Sequence, residues 1–189
     1  RTHNLEEVGA PSAWPRRAPD GRRLTGAGMV IGDIDSTLDL FHPSFFRADG
    51  GLFAWLDLDG DARLTPGTDA VDLDGDGRAG AGESLQLLEG SIHFLNSWDD
   101  TWTDDADGLL QPDLDWLYAD RDGDGRRSFG PEAGFTEQDP TYGEPLFVAD
   151  DVDRDGRIEP GEKLLALGSS KLRAVFSLGS ERVRQRGVD

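Results

Sequence analysis

Cysteine is absent from this 189-residue chain, so no disulfide staples it and no thiolate can hold a metal. Positive charge is scarce. Lys and Arg number 19 against 38 Asp and Glu, a formal net charge of -19. Nucleic acid and anionic membrane are both held by a basic face, so neither is expected as a partner. No apolar run approaches the roughly 20 residues needed to span a bilayer. Hydrophobic residues are thin as well, at 36% beside 30% charged, which borders on the composition of disordered chains. Against disorder stand five Trp and nine Phe spread along the chain, and acid that is patterned rather than scattered. The length suits one folded domain, or one domain carrying a large insertion. The chain starts at Arg1 with no signal-peptide pattern and ends on "RVRQRGVD". The expectation is therefore a processed or excised part of a longer protein.

Residues 1–27 are polar, rich in Pro and Arg, and read as loop. "GMVIGDID", residues 28–35, reads as a short buried strand that Gly32 weakens. From 51 to 168 the texture changes to Asp, Gly and short apolar clusters, and "KLRAVFSL" at 171–178 alternates like a strand again. The expected order is strand, long acidic insertion, strand.

Inside the insertion an apolar-aromatic run leads straight into an Asp-rich loop: "LFAWLDLDGD" from 52, "LDWLYADRDGD" from 114 and "LFVADDVDRDG" from 146. Uneven spacing makes these recurrences of a motif and not a solenoid. In "DLDGDGRAGAGE", residues 72–83, Asp72, Asp74 and Asp76 take positions 1, 3 and 5, Gly77 position 6 and Glu83 position 12. That is the spacing of a calcium loop. The carboxylates converge as the loop coils, Gly permits the sharp turn, the carbonyl of Arg78 at position 7 faces inward, and Glu83 closes the sphere. "DVDRDGRIEPGE", residues 151–162, supplies Asp151, Asp153, Asp155, Gly156, the carbonyl of Arg157, Glu159 and Glu162, with Ile158 as the apolar anchor. "DRDGDGRRSFGPE" from 120 supplies Asp120, Asp122, Asp124, Gly125, the carbonyl of Arg126 and Ser128, but its Glu132 falls one place late. "DLDGDARLTPGTD" from 57 supplies Asp57, Asp59, Asp61, the carbonyl of Arg63 and Thr65, with Ala62 in the Gly position and Asp69 near the end.

Asp-Gly dipeptides also make plain hairpin turns. Magnitudes favour a cation. Carboxylates forced within about 4 Å repel by roughly 1 kcal/mol per pair in water and about 4 near a protein surface. Four such clusters left uncompensated would strain a domain whose whole stability is about 5–15 kcal/mol. Helix-loop-helix pairs are not expected, because loops 57 and 72 are nearly contiguous and Gly and Pro crowd the later positions. Helical character first shows at Lys163–Leu167. The loops read as metal staples of a secreted, extracellular module, binding Ca²⁺ at about 10⁻⁴–10⁻³ M. In a chain without cysteine they substitute for disulfides, a structural rather than a catalytic role.

The stretch "GAGMVIGDIDSTLDLFHPSFF", with "GAPSAW" ahead of it, resembles the aspartate box of subtilisin-like serine proteases. Asp35 falls on the catalytic Asp, Ser36 on the Ser/Thr, Leu38 on the aliphatic residue, Asp39 on the following acid and His42-Pro43 on the His-Pro element. Phe45 or Phe46 matches the family's aromatic. Thr37 stands where the family has Gly, and Asp33 where it has an aliphatic residue. The resemblance covers residues 9 to about 46. It implies a carboxylate at the end of a parallel strand, orienting a catalytic His so that this base can take the serine proton. The family's His and Ser boxes do not occur here, so the resemblance implies that both lie downstream of Asp189, in the remainder of the catalytic domain. His93, in "GSIHFLNSW", lacks their flanking glycines.

These readings give an α/β fold: a partial subtilisin-like parallel sheet interrupted by a loop-rich calcium-binding insertion. Residues 1–50 hold the Asp box, 51–168 the insertion, and 169–189 a return strand. The expected function is the N-terminal portion of a secreted serine endopeptidase, inactive by itself, acting on polypeptide substrates through the full-length protein. The rival is a non-enzymatic calcium-binding adhesion or scaffold module. A metal-dependent hydrolase built on Asp33 and Asp35 lacks a histidine cluster.

Overall fold

Each apolar run that leads into an Asp-rich loop forms a strand. The computed structural model describes residues 15–22, 29–32, 41–88, 94–96, 101–103, 108–112, 115–176 and 183–185. The chain divides into two compact units, Arg1–Leu38 and Asp39–Asp189. Of the first, the described part is a turn in which the Gly21 N–H donates to the Ala18 carbonyl, and the segment 29–32, which has no regular structure.

In the second unit the strands are β1 (Leu52–Leu56), β2 (Ala70–Asp72), β3 (Ser84–Leu88), β4 (Phe94–Asn96), β5 (Thr101–Thr103), β6 (Trp116–Asp120), β7 (Leu146–Asp150), β8 (Lys163–Ala166), β9 (Ala174–Phe176) and β10 (Val183–Gln185). β1, β2, β3, β6, β7 and β8 close into a barrel in that order, every neighbouring pair antiparallel. β4 and β5 pair as a hairpin on the connection between β3 and β6, and β9 pairs with β10.

Alternation decides which side chains fill the barrel. Trp55, Val71, Leu85, Leu117, Ala119, Phe147, Leu164 and Ala166 form one buried cluster, joined by Leu64 and Ile158 from the loops. Tyr118 and Leu146 point the other way and pack with Phe46 and Leu167 in a second cluster. Phe46 belongs to the segment leading into the barrel and Leu167 to the segment leaving it. The two segments are zipped: the Lys171 N–H donates to the Phe45 carbonyl, Arg47 to Ser169, and Gly168 back to Arg47. Asp49 accepts the hydroxyl and the N–H of Ser169. The chain thus enters and leaves the barrel through a two-stranded neck.

The expected α/β fold with a parallel sheet is overturned. Among the described residues there is no α-helix, and the strand pairs of the barrel are all antiparallel. The reason lies in the connections. A parallel crossover needs a dozen or more residues, usually helical. A calcium-type loop instead coils on itself and hands the chain straight back, so β1–β2 and β7–β8 become hairpins. The helical character read at Lys163–Leu167 gives way to β8 for the same reason, since Leu164 pairs across to Phe53 and Ala149. Met29, Val30 and Ile31, read as part of a buried strand, are 75%, 61% and 90% exposed. Strand β9 lies inside the stretch expected at 171–178, but its partner is antiparallel β10.

Candidate metal centres

The four Asp-rich loops begin at the C-terminal ends of β1, β2, β6 and β7. Because barrel neighbours alternate in direction, loops 57 and 151 emerge at one end, and loops 72 and 120 at the other.

All four loops share one hydrogen-bond scheme. The first Asp accepts from the backbone N–H of position 4 with one oxygen and position 6 with the other. Asp57 does so to Gly60 and Ala62, Asp72 to Gly75 and Gly77, Asp120 to Gly123 and Gly125, Asp151 to Arg154 and Gly156. The third-position acids Asp59, Asp74, Asp122 and Asp153 accept from position 5. The fifth-position acids Asp61, Asp76, Asp124 and Asp155 accept from the N–H of Arg63, Arg78, Arg126 and Arg157. Such Asx turns are what a short acidic side chain does beside its own backbone. Positions 4 and 6 are left-handed in every loop; Ala62 at φ 62° and Arg154 at φ 62° hold this conformation without being glycine.

A further carboxylate closes each loop by accepting from positions 2 and 9. Asp69 takes the N–H groups of Leu58 and Thr65 at 2.9 and 2.7 Å, and Glu83 those of Leu73 and Gly80 at 2.8 and 2.6 Å. Glu162 takes those of Val152 and Glu159 at 2.7 and 2.9 Å. In loop 120 the role falls to Glu144, which takes the N–H groups of Arg121 and Ser128 at 2.6 and 2.8 Å. Glu132 is exposed in the 3-10 turn Pro131–Ala133.

Sequence reasoning missed Glu144, yet a signal existed. Each closing acid stands just ahead of the next barrel strand: Asp69 before β2, Glu83 before β3, Glu144 before β7 and Glu162 before β8. Three of them read as Gly-Glu followed by an apolar run, "GESLQLL", "GEPLFVA" and "GEKLLAL". The mark is the head of the next strand, not a fixed count from the first Asp.

Four groups bring one carboxylate oxygen from each of three residues within 4.8 Å of one another: Asp57–Asp59–Asp61, Asp72–Asp74–Asp76, Asp120–Asp122–Glu144 and Asp151–Asp153–Glu162. Each could hold a metal ion. In the last two, the closing Glu converges with positions 1 and 3, and Asp124 and Asp155 lie outside the trio.

The electrostatics record this crowding. Asp57 is held below its usual pKa by the Ala62 N–H above all, with further help from Gly60. Beside it Asp59 is raised. The bond from the Asp61 N–H works downward, but desolvation and the charges of Asp61, Asp69 and Asp57 together outweigh it. Tyr118 is pushed up to about 12, first by burial and then by the charges of Asp120, Glu144, Asp124 and Asp122.

Asp35, expected as a catalytic Asp, lies outside the described residues, as do Asp33, Ser36, Thr37, Leu38, Asp39 and His93. His42 is described: its Nδ1 accepts the Ser44 N–H, and its ring meets Trp116 edge-on. No helix among the described residues is long and apolar enough to cross a membrane. No family model, curated protein or solved structure matches the chain.

Proposed function

We propose that residues 43–171 are a calcium-stapled structural module, a small barrel whose ends are tied by bound Ca²⁺ and not by disulfides. The observation that carries this reading is the repeated closure of four loops, each by one acid gripping positions 2 and 9, together with a converging trio of carboxylates in each loop that in loops 120 and 151 includes the closing acid. The donor set suits a hard cation. It offers carboxylate oxygens and no His or Cys nitrogen or sulfur. Calcium accepts several carboxylates in irregular geometry, whereas Mg²⁺ keeps most of its water and takes only one or two. At millimolar calcium, as outside cells, sites of about 10⁻⁴–10⁻³ M each contribute roughly 0.4–1.4 kcal/mol. Calorimetric titration of the chelator-treated chain tests the reading. Several calcium sites of that affinity are expected, and heat no greater than dilution would remove the proposal.

A second reading has its own support. The neck between residues 45–51 and 166–171 brings the segments that enter and leave the barrel side by side, the arrangement that lets a module be inserted into another domain without disturbing it. Together with the Asp35 box, this favours a module borne by a secreted subtilisin-like serine endopeptidase, with Asp35 as its catalytic Asp and polypeptides as its substrates. The His and Ser would come from outside this chain. A serine-directed fluorophosphonate probe should label the protein that carries this chain and lose that labelling in Asp35→Asn. Absence of labelling would leave the module as a non-enzymatic scaffold.

A further inference from the structure

The barrel has two unlike ends. β1 starts and β8 finishes at the neck, beside loops 72 and 120, whereas β3 finishes and β6 starts at the far end, beside loops 57 and 151. We propose that the far end is a docking surface for another protein, whose contacting segment carries Lys or Arg around an apolar side chain. This goes beyond the calcium reading above and does not depend on it.

Position 2 of the loops marks the first difference. At the neck end it is Leu73, half-buried against the core, and the exposed Arg121. At the far end it is Leu58 and Val152, 53% and 70% exposed. Their backbones are braced: the Leu58 N–H donates to Asp69 at 2.9 Å, and the Val152 N–H to Glu162 at 2.7 Å. The Leu64 N–H, donating to the Ile158 carbonyl, ties the two loops to each other. Leu109, on the connection returning to β6, is 66% exposed. Apolar side chains presented on a backbone already fixed lose less entropy when a partner covers them.

Charge is divided as unevenly. At the far end, residues 57–69 and 150–162 hold ten acids against three Arg. The connection from β3 to β6, residues 89–115, adds eight Asp and Glu and no Lys or Arg. Eighteen acids against three Arg make a formal charge of -15. At the neck end, residues 72–83 and 120–144 hold eleven acids against four Arg, and the neck adds Asp49, Arg47 and Lys171, a formal -6. Each end carries two Asp-rich loops, so calcium removes the same charge from both and the imbalance persists.

Complementarity selects the occupant. A second copy of this chain, nucleic acid or an anionic membrane would each bring like charge against this end. Lys and Arg bring the opposite charge and are attracted over a Debye length of about 8–10 Å. An apolar residue among them covers Leu58 and Val152, the buried anchor that gives such contacts their strength. Charge steers the encounter, and the apolar contact holds it.

Fluorescence anisotropy on the full 189-residue chain in calcium tests this, with a labelled Lys-rich peptide that carries Leu as the probe. One control peptide has Ser for Leu and another Glu for Lys. Binding should weaken roughly tenfold with the Ser peptide and vanish with the Glu peptide. Leu58→Ser with Val152→Ser should weaken the Leu peptide by roughly tenfold as well. Leu52→Ser, at a site 63% exposed where β1 leaves the neck, should leave binding unchanged. Should the double variant not fold, amide shifts on adding the Leu peptide to the wild type carry the comparison: they should fall on loops 57 and 151 and spare loop 72. Equal binding of the Leu and Ser peptides, equal binding to wild type and double variant, shifts centred on loop 72, or no binding at all overturns the proposal. So does a dimer in sedimentation that Leu58→Ser abolishes, which would make the occupant a second copy.

Discussion

The backbone N–H of Leu64 donates to the carbonyl of Ile158 at 2.9 Å. Both residues hold position 8 of their loops, and both side chains are buried, Leu64 at 6% and Ile158 at 1% exposure. Two Asp-rich loops far apart in sequence are thus tied into one lid at the end of the barrel, with the core directly beneath them. Ile158→Ala should therefore behave as a core truncation, costing about 2–5 kcal/mol and weakening metal binding in loops 57 and 151 together. Urea unfolding with parallel calcium titration checks it; a loss confined to loop 151 would contradict the shared lid.

Ala62 occupies, at φ 62°, the left-handed position that Gly77, Gly125 and Gly156 fill in the sister loops. An L-residue there is disfavoured by about 1–2 kcal/mol, partly offset by the entropy a glycine loses on folding. Ala62→Gly should raise stability by about 0.5–1 kcal/mol. Gly156→Ala should lower it by roughly 1–2 kcal/mol, purely through the backbone, since nothing lies within 4 Å of an added Cβ. Equilibrium denaturation of the two variants should show opposite signs.

Asp69 and Glu132 separate spatial from sequential reasoning. Asp69 is 1% exposed and accepts two backbone N–H groups. An asparagine would turn an NH₂ toward one of them, so Asp69→Asn should cost about 1–3 kcal/mol. Exposed Glu132 should tolerate Gln within about 0.5 kcal/mol, with metal stoichiometry unchanged. A larger effect at Glu132 than at Asp69 in thermal or urea unfolding would reverse the assignment of closing acids.

The neck should be acid-sensitive through Asp49. The Ser169 hydroxyl and then its N–H hold the Asp49 carboxyl below its ordinary value of 3.8, against some desolvation. A depressed folded-state value stabilises at pH above 3.8 and loses that contribution as pH falls through the folded value. The stability gap between wild type and Asp49→Asn should therefore be widest near neutrality and shrink toward pH 3. A gap that widens on acidification would contradict the Ser169 bonds.

Much of the site was legible because calcium-type spacing is local. An Asp at position 1, 3 or 5 bonds backbone only two to five residues on, so the sequence contains both partners. The strands before three loops were legible as apolar runs, and they became β1, β6 and β7. What escaped was long-range. Nothing in "LFAWL" names "KLLA" as its partner, yet the pairing of β1 with β8 is what closes the barrel. Glu144 escaped because its loop and its strand are separated by the excursion 129–143. The parallel sheet was inferred from a resemblance carried by residues 9 to about 46, whereas the barrel strands all lie within 51–168, the stretch expected to be a loop-rich insertion.

Melting the chain in millimolar calcium and again in excess chelator tests the central claim most directly. Four sites at roughly 0.4–1.4 kcal/mol each predict a midpoint about 5–20 °C higher with calcium, and little gain from the same concentration of magnesium. Coincident melting curves in calcium and chelator would contradict a barrel held together by bound calcium.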